Sequence, residues 1–209
     1  MMHYQVQHLS HSIDGTTIFE NFSLDIAEPQ MVALTGPSGS GKTTLLNCLG
    51  LILKASAGEI HIDGENAHLW SEKQRLAFWR ESVAFIYQDY GIIDEENVSY
   101  NVSLTGSNTA TSQVLAALDR VGIAHLANTR AVKLSGGEKQ RLGIARAIYK
   151  NAKIIFADEP TASLDAHNRQ LVLNYLKEQV AAGSIVLVAT HDEELATQCD
   201  RVVSLAGRH

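Results

Sequence analysis

The residues best suited to chemistry form one glycine-rich run, Gly36-Pro37-Ser38-Gly39-Ser40-Gly41-Lys42-Thr43-Thr44. Glycines at this spacing let backbone N–H groups wrap around a phosphate, and Lys42 adds a compact positive charge at the same place. The Thr43 hydroxyl is a ligand for Mg²⁺ in this pattern. An apolar run, Met31–Thr35, precedes the glycines and is typical of a buried parallel strand, whereas the residues after Lys42 are typical of a buried helix. Because the positive end of the helix dipole faces the loop, the sequence predicts a nucleoside triphosphate site there.

Two adjacent acids close a second apolar run. Asp158 ends the run, which is where a P-loop ATPase places the carboxylate that orients Mg²⁺. Glu159 is expected to point to the other side and to polarise a water for attack on the γ-phosphate. An acidic turn before Pro160 is the alternative interpretation when these residues are taken alone. With the glycine-rich run upstream, hydrolysis of the nucleotide is the stronger prediction.

A second glycine-bearing turn, Leu134-Ser135-Gly136-Gly137-Glu138, comes just before a stretch with helical apolar spacing. Ser135 is predicted to cap that helix, and the two glycines would let a phosphate approach the bare N–H groups. An ordinary capped helix is an equally good interpretation of this turn alone. A second anion-binding helix start is hard to place in a monomer that already has a P-loop. It therefore predicts a head-to-tail dimer, in which each copy offers this turn to the γ-phosphate held by the other.

Two more polar side chains follow strand candidates. His191 comes after an apolar run at 185–190 and is predicted to sense the γ-phosphate and position the attacking water. A lone histidine after a strand is more often a structural residue, and this alternative stays open. Gln88 leaves a strand candidate at 83–87, where a solvated polar residue is the default interpretation, and in the company of the other motifs it is expected to complete the shell of Mg²⁺ and water.

The elements that position these residues follow from periodicity and turn chemistry. Strands are predicted near 6–9, 22–26, 31–35, 59–63, 83–87, 154–156 and 185–189, with a hairpin turn at Asp63-Gly64. Helices are predicted at 42–53, from an N-cap at Ser71 to Arg80, and at 111–121, 139–149 and 168–180. The stretch from 89 to 132 is predicted to be a small helical insertion. The β-α-β rhythm around it predicts an α/β fold.

Composition limits the classes of function. With 209 residues the chain is long enough for one hydrophobic core and short for two domains. The net charge of −6 argues against broad nucleic-acid binding, so no nucleic-acid partner is expected. Cys48 and Cys199 are predicted to be reduced core thiols, which fits a cytoplasmic location. No apolar run is long enough for a membrane span and no signal-peptide pattern is present, so another chain is expected to hold the protein at a membrane.

Together these motifs resemble the nucleotide-binding subunits of ABC transporters over essentially the whole chain. The matching residues are the Walker A run at 36–43, the Q-loop Gln88, the signature at 134–138 with Gln140 and Arg141, the Walker B run at 154–159, the D-loop Ser163-Leu164-Asp165 and the switch His191. The runs at 42–51 and 159–165 resemble the MacB, LolD and FtsE branch of the family. The run at 85–91 is similar to small ATPases associated with export of bacteriocins or antimicrobial peptides.

The resemblance implies a RecA-like P-loop NTPase core with an antiparallel β subdomain and a small α-helical insertion. We expect a single ABC ATPase domain over 1–209, with the core at about 1–88 and 139–209 and the helical part at about 89–138. The family implies a sandwich dimer that binds two ATP and two Mg²⁺, with Ser163, Leu164 and Asp165 coupling the two copies. The helical part and the Gln88 segment would contact a membrane permease of the FtsX or MacB type, and the protein would lie peripherally on the inner face of the membrane. Export or force transmission is the expected outcome of hydrolysis.

Three residues depart from the family pattern. Ile13 stands where an aromatic residue usually stacks on adenine, and aliphatic contact lacks the aromatic stacking energy. Phe19 is the alternative residue for that role. Pro29 replaces a usual glycine and Ala131 a usual proline, and both substitutions are expected to change loop stiffness only.

Other classes of ATPase share some of these motifs. An SMC-type chromosome ATPase needs very long coiled coils between its two halves, and no sustained heptads occur between Gln88 and Leu134. An ABC-F translation factor needs two cassettes, and one is present. An FtsE-like regulatory ATPase, which controls a cell-envelope enzyme through a membrane partner, stays open as an alternative to transport. Loss of transport or of cell-wall turnover on deletion of the membrane partner separates these two roles.

Overall fold

The computed structural model describes residues 1–87, 91–105, 110–162 and 164–205. The strands in these residues are β1 (Tyr4–Ile13), β2 (Thr16–Ile26), β3 (Met31–Thr35), β4 (Ala57–Ile62), β5 (Glu65–Asn66), β6 (Val83–Ile86), β7 (Ile154–Asp158), β8 (Ile185–Thr190) and β9 (Arg201–Ser204). The α-helices are α1 (Lys42–Leu49), α2 (Glu72–Glu81), α3 (Val98–Ser103), α4 (Ser112–Arg120), α5 (Gly136–Lys150), α6 (Ala166–Ala181) and α7 (Glu193–Thr197). Short 3₁₀ turns lie at Ala67–Leu69, Ala124–Leu126 and Ala131–Lys133.

A parallel sheet in the order β6-β7-β8-β3-β9 forms the centre of the molecule. Strands β7 and β8 are buried along their whole length because elements pack on both faces of the sheet. Alternate residues of each strand contribute to two separate cores. Phe156 and Leu187 face the core that contains α1, whereas Ile155 and Val186 face the core that contains α6. The predicted α/β architecture is confirmed.

The register of the parallel sheet places the carboxyl ends of three strands side by side. Thr35 of β3 pairs with Thr190 of β8, and Asp158 of β7 pairs with Ala189 of β8. In open parallel sheets this edge is where ligands bind. The glycine-rich loop, the acidic pair and the histidine therefore leave the sheet at one edge.

An antiparallel sheet in the order β2-β1-β4-β5 covers one of these cores. Its inner face contributes Tyr4, Val6 and Leu9 to the core that also contains α1. The turn between β4 and β5 is the predicted Asp63-Gly64 hairpin, with φ of 51° and 85° at the two residues. Both angles are positive, as a two-residue type I′ turn requires.

Helix α1 is shorter than predicted, because it ends at Leu49 and not near residue 53. Gly50 is the C-cap, and Leu51 follows with φ of 60°, which is incompatible with a continuing helix. A Cβ on Gly50 would lie 2.6 Å from Phe85 Cε1, so the chain turns where the backbone touches an aromatic ring. Local periodicity carries no information about that contact, which is why the predicted boundary was wrong.

The predicted cap at Ser71 agrees with the structure, whereas the cap of α6 was not predicted. Ser71 caps α2 in a capping box with Gln74. Helix α6 starts at Ala166, slightly before the predicted start, because the side chain of Asp165 caps it.

Helices α3 and α4 pack on one side of α5 and form a third core. This core contains Val98, Val114, Leu118 and Leu142. The helix predicted at 111–121 is confirmed as α4, with Thr111 as its N-cap. Helix α5 packs against both this third core and the core of the parallel sheet, so it joins the two.

Neither cysteine has a disulfide partner in the part of the chain that the structure describes. Cys48 is buried and Cys199 is partly buried. Burial raises the pKa of each thiol to about 11, which keeps both protonated and unreactive at neutral pH. Over the same described ranges, no helix has both the length and the apolar character of a membrane span.

Candidate nucleotide site

The glycine-rich loop joins β3 to α1 and leaves the first turn of α1 without a side-chain cap. Gly41, the N-cap residue, has φ of 89°, and a Cβ there would lie 2.7 Å from Ile18 Cγ2. A side chain is therefore excluded at Gly41 by both backbone conformation and space. Gly39 has φ of 78°, and a Cβ there would point into open space. The uncapped N–H groups of α1 are available to bind an anion.

Lys42 lies under this loop and is 7% exposed. Its ammonium donates hydrogen bonds to the carbonyl oxygens of Gly36 at 2.9 Å and Pro37 at 3.1 Å. In the ranges that the structure describes, no carboxylate forms an ion pair with Lys42. A buried cation without a counter-ion is costly, and a phosphate would supply the missing charge. The site therefore fits the polyphosphate of a nucleotide.

A cavity of about 360 Å³ opens above the loop. Its lining residues are Ser38, Gly39, Gly41, Lys42, Thr43, Thr44, Glu159 and His191. Three predicted motifs thus share one cavity, although the glycine-rich loop lies more than a hundred residues before the other two in the sequence. Gly36 and Pro37 line the adjacent groove, which His191 also borders.

Glu159 is held by three donors at the mouth of this cavity. Its carboxylate accepts hydrogen bonds from Thr190 Oγ1 and from the His191 N–H, both at 3.0 Å. His191 Nδ1 lies 2.6 Å from Glu159 Oε1, and because a carboxylate accepts hydrogen bonds, Nδ1 is the donor in this contact. The Glu159 side chain is 11% exposed, whereas that of His191 is 69% exposed. Glu159 is therefore oriented as an acceptor, and His191 presents its far nitrogen to solvent.

Sequence reasoning did not identify Thr190 as part of this group. Its hydroxyl donates to Glu159 and also accepts from the Asp192 N–H at 3.0 Å. The available signal was a hydroxyl residue directly before His191, at the end of an otherwise apolar strand.

Asp158 is buried at the end of β7 and does not line the cavity. Thr43 lies in the cavity and is exposed. Within the described residues no group of three His, Cys, Asp or Glu side chains could hold a metal ion by itself. The candidate protein ligands are therefore the Thr43 hydroxyl and the Asp158 carboxylate. Two oxygens fit Mg²⁺, which typically takes one or two protein oxygens and completes its shell with phosphate oxygens and water.

The second glycine turn forms a capping box at the start of α5. Ser135 N and Ser135 Oγ both donate to Glu138 Oε2 at 2.7 Å, and Glu138 N donates to Ser135 Oγ at 3.4 Å. The hydrogen bonds from Ser135 hold the pKa of Glu138 below its usual range. Gly136 and Gly137 open the helix in the first turn. None of these four residues lines the P-loop cavity of its own chain.

Helix α5 is also bonded to the segment that follows Glu159. Gln140 Nε2 donates to the Pro160 carbonyl at 2.8 Å, and Arg141 Nη1 donates to Asn168 Oδ1. Asn168 in turn donates from its backbone and side chain to Asp165, each at 2.8 Å. The D-loop residue Asp165 is therefore linked to the signature helix. Leu164 packs against the core of the parallel sheet.

Two of the predicted functional residues, Gln88 and Ser163, lie outside the described residues. Their roles stay predictions.

The two candidates for adenine contact differ in exposure. Ile13 is 48% exposed at the end of β1, opposite Thr16. Phe19 is 8% exposed and stacks on His11, with ring centroids 6.2 Å apart. Phe19 therefore has little free surface to offer a base. Neither residue lines the P-loop cavity, although Ile18 on the same hairpin touches the loop at Gly41.

Comparison with known proteins identifies the family. The ABC transporter family profile matches residues 19–162. The lipoprotein-releasing system ATP-binding protein LolD of Anaplasma marginale is 39% identical over 197 residues, covering 91% of this chain and 88% of LolD. The macrolide export ATP-binding/permease protein MacB of Chromobacterium violaceum is 37% identical over 198 residues, covering 92% of this chain. The chain spans only 31% of the length of that MacB.

Solved structures give the same result. A dimeric structure of the bacterial ABC transporter cassette MJ0796 superposes with a TM-score of 0.87 at 28% identity, covering 97% of this chain and 94% of the cassette. A second structure of that cassette is a dimer in a post-hydrolysis state, bound to ADP and Pi. The predicted P-loop NTPase fold is confirmed by this likeness. The chain belongs to the ABC transporter family and is an ATP-binding cassette of the kind that hydrolyses ATP.

Proposed function

We propose that this cassette hydrolyses Mg-ATP as a homodimer and transmits the resulting motion to a separate membrane permease of the FtsX or MacB type. The observation that carries the proposal is the single cavity shared by Lys42, Thr43, Glu159 and His191. It brings together a phosphate-binding cation, a metal-binding hydroxyl, an acceptor carboxylate and an imidazole. The similar proteins named MacB and LolD, an ATP-binding/permease protein and an ATP-binding protein of a releasing system, support export or release as the outcome.

The P-loop residues bind and orient the triphosphate. The N–H groups of 38–44 surround the β-phosphate, and Lys42 neutralises charge on the β- and γ-phosphates. Thr43 and Asp158 would hold Mg²⁺, and Gln88 would complete its shell. When bound, the metal neutralises charge that develops on the phosphate oxygens. Ile13 provides apolar contact to the base.

Glu159 and His191 act on the water that attacks the γ-phosphorus. A Glu159 oxygen takes the proton as the new P–O bond forms and ADP leaves. Thr190 and His191 keep the carboxylate in place by the hydrogen bonds described above. The exposed Nε2 of His191 contacts the γ-phosphate, so the orientation of Glu159 depends on the presence of that phosphate.

The signature turn completes the site of the other copy. Ser135, Gly136 and Gly137 lie at the N-terminus of α5, and none of them lines the P-loop cavity of its own chain. In a head-to-tail dimer this N-terminus faces the γ-phosphate bound by the partner. The link from Arg141 through Asn168 to Asp165 then connects the signature helix to the D-loop, which lies beside the second copy.

Exposed apolar residues flank α3 and are suited to a permease contact. Ile93 is 41% exposed and Leu104 is 50% exposed, one before and one after this helix. We propose that the cytoplasmic coupling helices of the permease pack here, which would place the cassette peripherally on the inner face of the membrane.

The permease proposal is tested by copurification from membranes. Ile93→Asp should abolish capture of the permease and the ATPase activity that the permease stimulates, while activity of the isolated cassette persists. Leu171→Asp is the matched control, because Leu171 is also 41% exposed but lies on α6. Equal capture by both variants would show that the permease does not contact the α3 surface.

A further inference from the structure

An arginine of a neighbouring helix holds the turn that carries His191. Arg169 lies near the start of α6, and its Nη2 donates a hydrogen bond to Asp192 Oδ2. The side chains of Arg169 and Asp192 are 37% and 21% exposed. Glu194 Oε2 lies 3.9 Å from the same nitrogen, but the Glu194 side chain is 83% exposed. Because solvent weakens an exposed ion pair, Asp192 is the main partner of Arg169.

Asp192 connects this arginine to the start of α7. Its Oδ1 accepts hydrogen bonds from Glu194 N at 3.0 Å and from Leu195 N at 3.2 Å, and so caps the helix. Helix α7 has only five residues, too few to be stable without tertiary contacts. Since Asp192 Oδ2 is bonded to Arg169 of the 16-residue helix α6, the longer helix fixes the start of the shorter one.

The backbone of Asp192 extends this chain of contacts to the acceptor carboxylate. Its N–H donates to Thr190 Oγ1 at 3.0 Å, and the Thr190 hydroxyl donates to Glu159 Oε2 at 3.0 Å. A hydroxyl has one proton, so the bond accepted from Asp192 N leaves that proton directed at Glu159. Thr190 is fully buried, so bulk water does not compete for these bonds. Three consecutive hydrogen bonds therefore run from Arg169 to Glu159.

Helix α6 is a firm support for this chain of hydrogen bonds. Val172 and Leu176 of α6 are buried in the core beside the parallel sheet, and Leu195 of α7 packs in the same core. This packing fixes both helices relative to the sheet. The pair formed by Arg169 and Asp192 ties the turn between β8 and α7 to that support.

We propose that Arg169 is a positioning residue that holds the turn at 190–192 and, through Asp192 and Thr190, keeps the Glu159 carboxylate aimed at the attacking water. The proposal rests on the proposed function in one respect, namely that Glu159 takes the proton of that water. Glutamine at position 169 stays polar but lacks the charge that binds Asp192. Loss of the pair should let the turn shift, which should lower turnover and leave the P-loop unchanged.

The test is a double-mutant cycle on the full chain with Arg169→Gln and Thr190→Val. Arg169→Gln should lower kcat about tenfold, because a small displacement of a reacting group is costly in rate, with the Kd for Mg-ATP unchanged. Thr190→Val keeps the shape of the side chain but removes the hydroxyl through which Arg169 is proposed to act. In that background Arg169→Gln should cause no further loss of kcat. A purely structural role for Arg169 would give the same fold-loss in both backgrounds.

Lys177→Gln is the matched control, because Lys177 also joins α6 to α7. Its Nζ donates to Gln198 Oε1 at 2.9 Å, and Gln198 is the C-cap of α7. This variant should keep kcat near the wild-type value, since the contact lies at the opposite end of α7 from the turn. Circular dichroism establishes that each variant is folded. Arg169→Met and Thr190→Ala replace the first choices in the cycle where those are not folded.

The outcomes separate this proposal from the proposed function. Non-multiplicative loss of kcat with an unchanged Kd for Mg-ATP supports the positioning role. That role is overturned by unchanged kcat in Arg169→Gln, by equal loss in both backgrounds, by a raised Kd, or by a similar loss in Lys177→Gln. Each of these results leaves hydrolysis by Glu159 intact. Hydrolysis by Glu159→Gln near the wild-type rate would instead overturn both proposals.

Discussion

At the scale of single residues, the proposed hydrolysis depends on how Glu159 is held. Thr190 and His191 donate to its carboxylate, and its own N–H donates to the Ala189 carbonyl at 2.8 Å. Its φ of 45° is unusual for a residue other than glycine. Such conformations persist where the surroundings impose them, and they concentrate at functional sites. The backbone turn directs Glu159 into the cavity, whereas Asp158 stays buried behind it.

Glu159→Gln should preserve ATP binding and reduce hydrolysis by at least about a hundredfold, the usual contribution of a general base. The amide keeps the shape of the side chain but cannot accept a proton from water. Phosphate release measures the loss, and size-exclusion chromatography should show an ATP-dependent dimer that the wild type does not accumulate. Hydrolysis near the wild-type rate would remove Glu159 from the role proposed for it.

Ile13→Tyr should tighten ATP binding, because a ring at this exposed position offers adenine a stacking face. The gain should be at most about tenfold, since aromatic stacking is worth up to about 1.5 kcal/mol. Isothermal titration of Mg-ATP measures it. Ile52→Tyr is a control, because Ile52 is 41% exposed but lies after α1. An unchanged or weaker affinity in Ile13→Tyr would show that the base does not contact residue 13.

The sequence could identify most of the candidate site residues because each motif is local. Lys42, Glu159 and Ser135 stand next to the glycines or acids that define their motifs. The structure adds contacts between distant parts of the chain, such as Arg146 with Gly91 and Gln140 with Pro160. Spacing cannot reveal these pairs, because a side chain that reaches a backbone carbonyl places no demand on the identity of the accepting residue.

At the scale of elements, the sheet brings the site together. The strands that precede the P-loop, Glu159 and His191 were predictable from short apolar runs, and parallel pairing then brings their carboxyl ends to one edge. The end of α1 was not predictable, because the ring of Phe85 lies against Gly50 from another part of the chain. Trp79 Nε1 also donates to the Gly50 carbonyl at 2.8 Å. Gly50 is therefore a packing position between α1, α2 and β6.

Gly50→Ala should destabilise the fold by about 1–3 kcal/mol, the usual cost of overpacking. The added methyl group would push on Phe85, which cannot yield easily because it is stacked between Tyr87 and Phe156. The φ of −76° at Gly50 suits alanine, so backbone strain does not contribute. Urea unfolding measures the free energy of unfolding.

Gly143→Ala is the matched control for this substitution. Gly143 lies in α5, and a Cβ there would meet no atom within 4 Å. The substitution Gly143→Ala should raise the free energy of unfolding by about 0.5–1 kcal/mol, because alanine favours the helix. If both substitutions stabilise the protein, the contact between Gly50 and Phe85 does not restrict this position.

At the scale of the whole molecule, each of the two proposed nucleotide sites combines the P-loop cavity of one chain with the signature turn of the other. The P-loop cavity lacks the signature turn, and the signature turn is bonded through α5 to the D-loop residue Asp165. The similar cassette MJ0796 is dimeric in its solved structures. If the turn serves the nucleotide of the other copy, damage to Ser135 must act after ATP has bound to the monomer.

Ser135→Arg should leave the affinity of the monomer for Mg-ATP unchanged and abolish the ATP-dependent dimer. The P-loop is untouched, whereas a bulky side chain occupies the place of the partner's γ-phosphate. Titration calorimetry measures the affinity, and analytical ultracentrifugation measures the dimer. Lys42→Ala gives the contrasting result, because the charge that binds the phosphates is lost and affinity falls with it.

The substitution at Ser135 also removes a helix cap, which costs about 1 kcal/mol by itself. Ser71→Arg is the matched control for that cost, because Ser71 caps α2 in the same kind of capping box, with Gln74. The Ser71 variant should lose similar stability and still dimerise with ATP. If folded Ser135→Arg loses ATP affinity as severely as Lys42→Ala, the signature turn serves the nucleotide of its own chain. The other outcome is that the Ser71→Arg and Ser135→Arg monomers both bind ATP but only the Ser71 variant dimerises. Because both variants lose a helix cap, that result would place the Ser135 defect at the contact between the two copies.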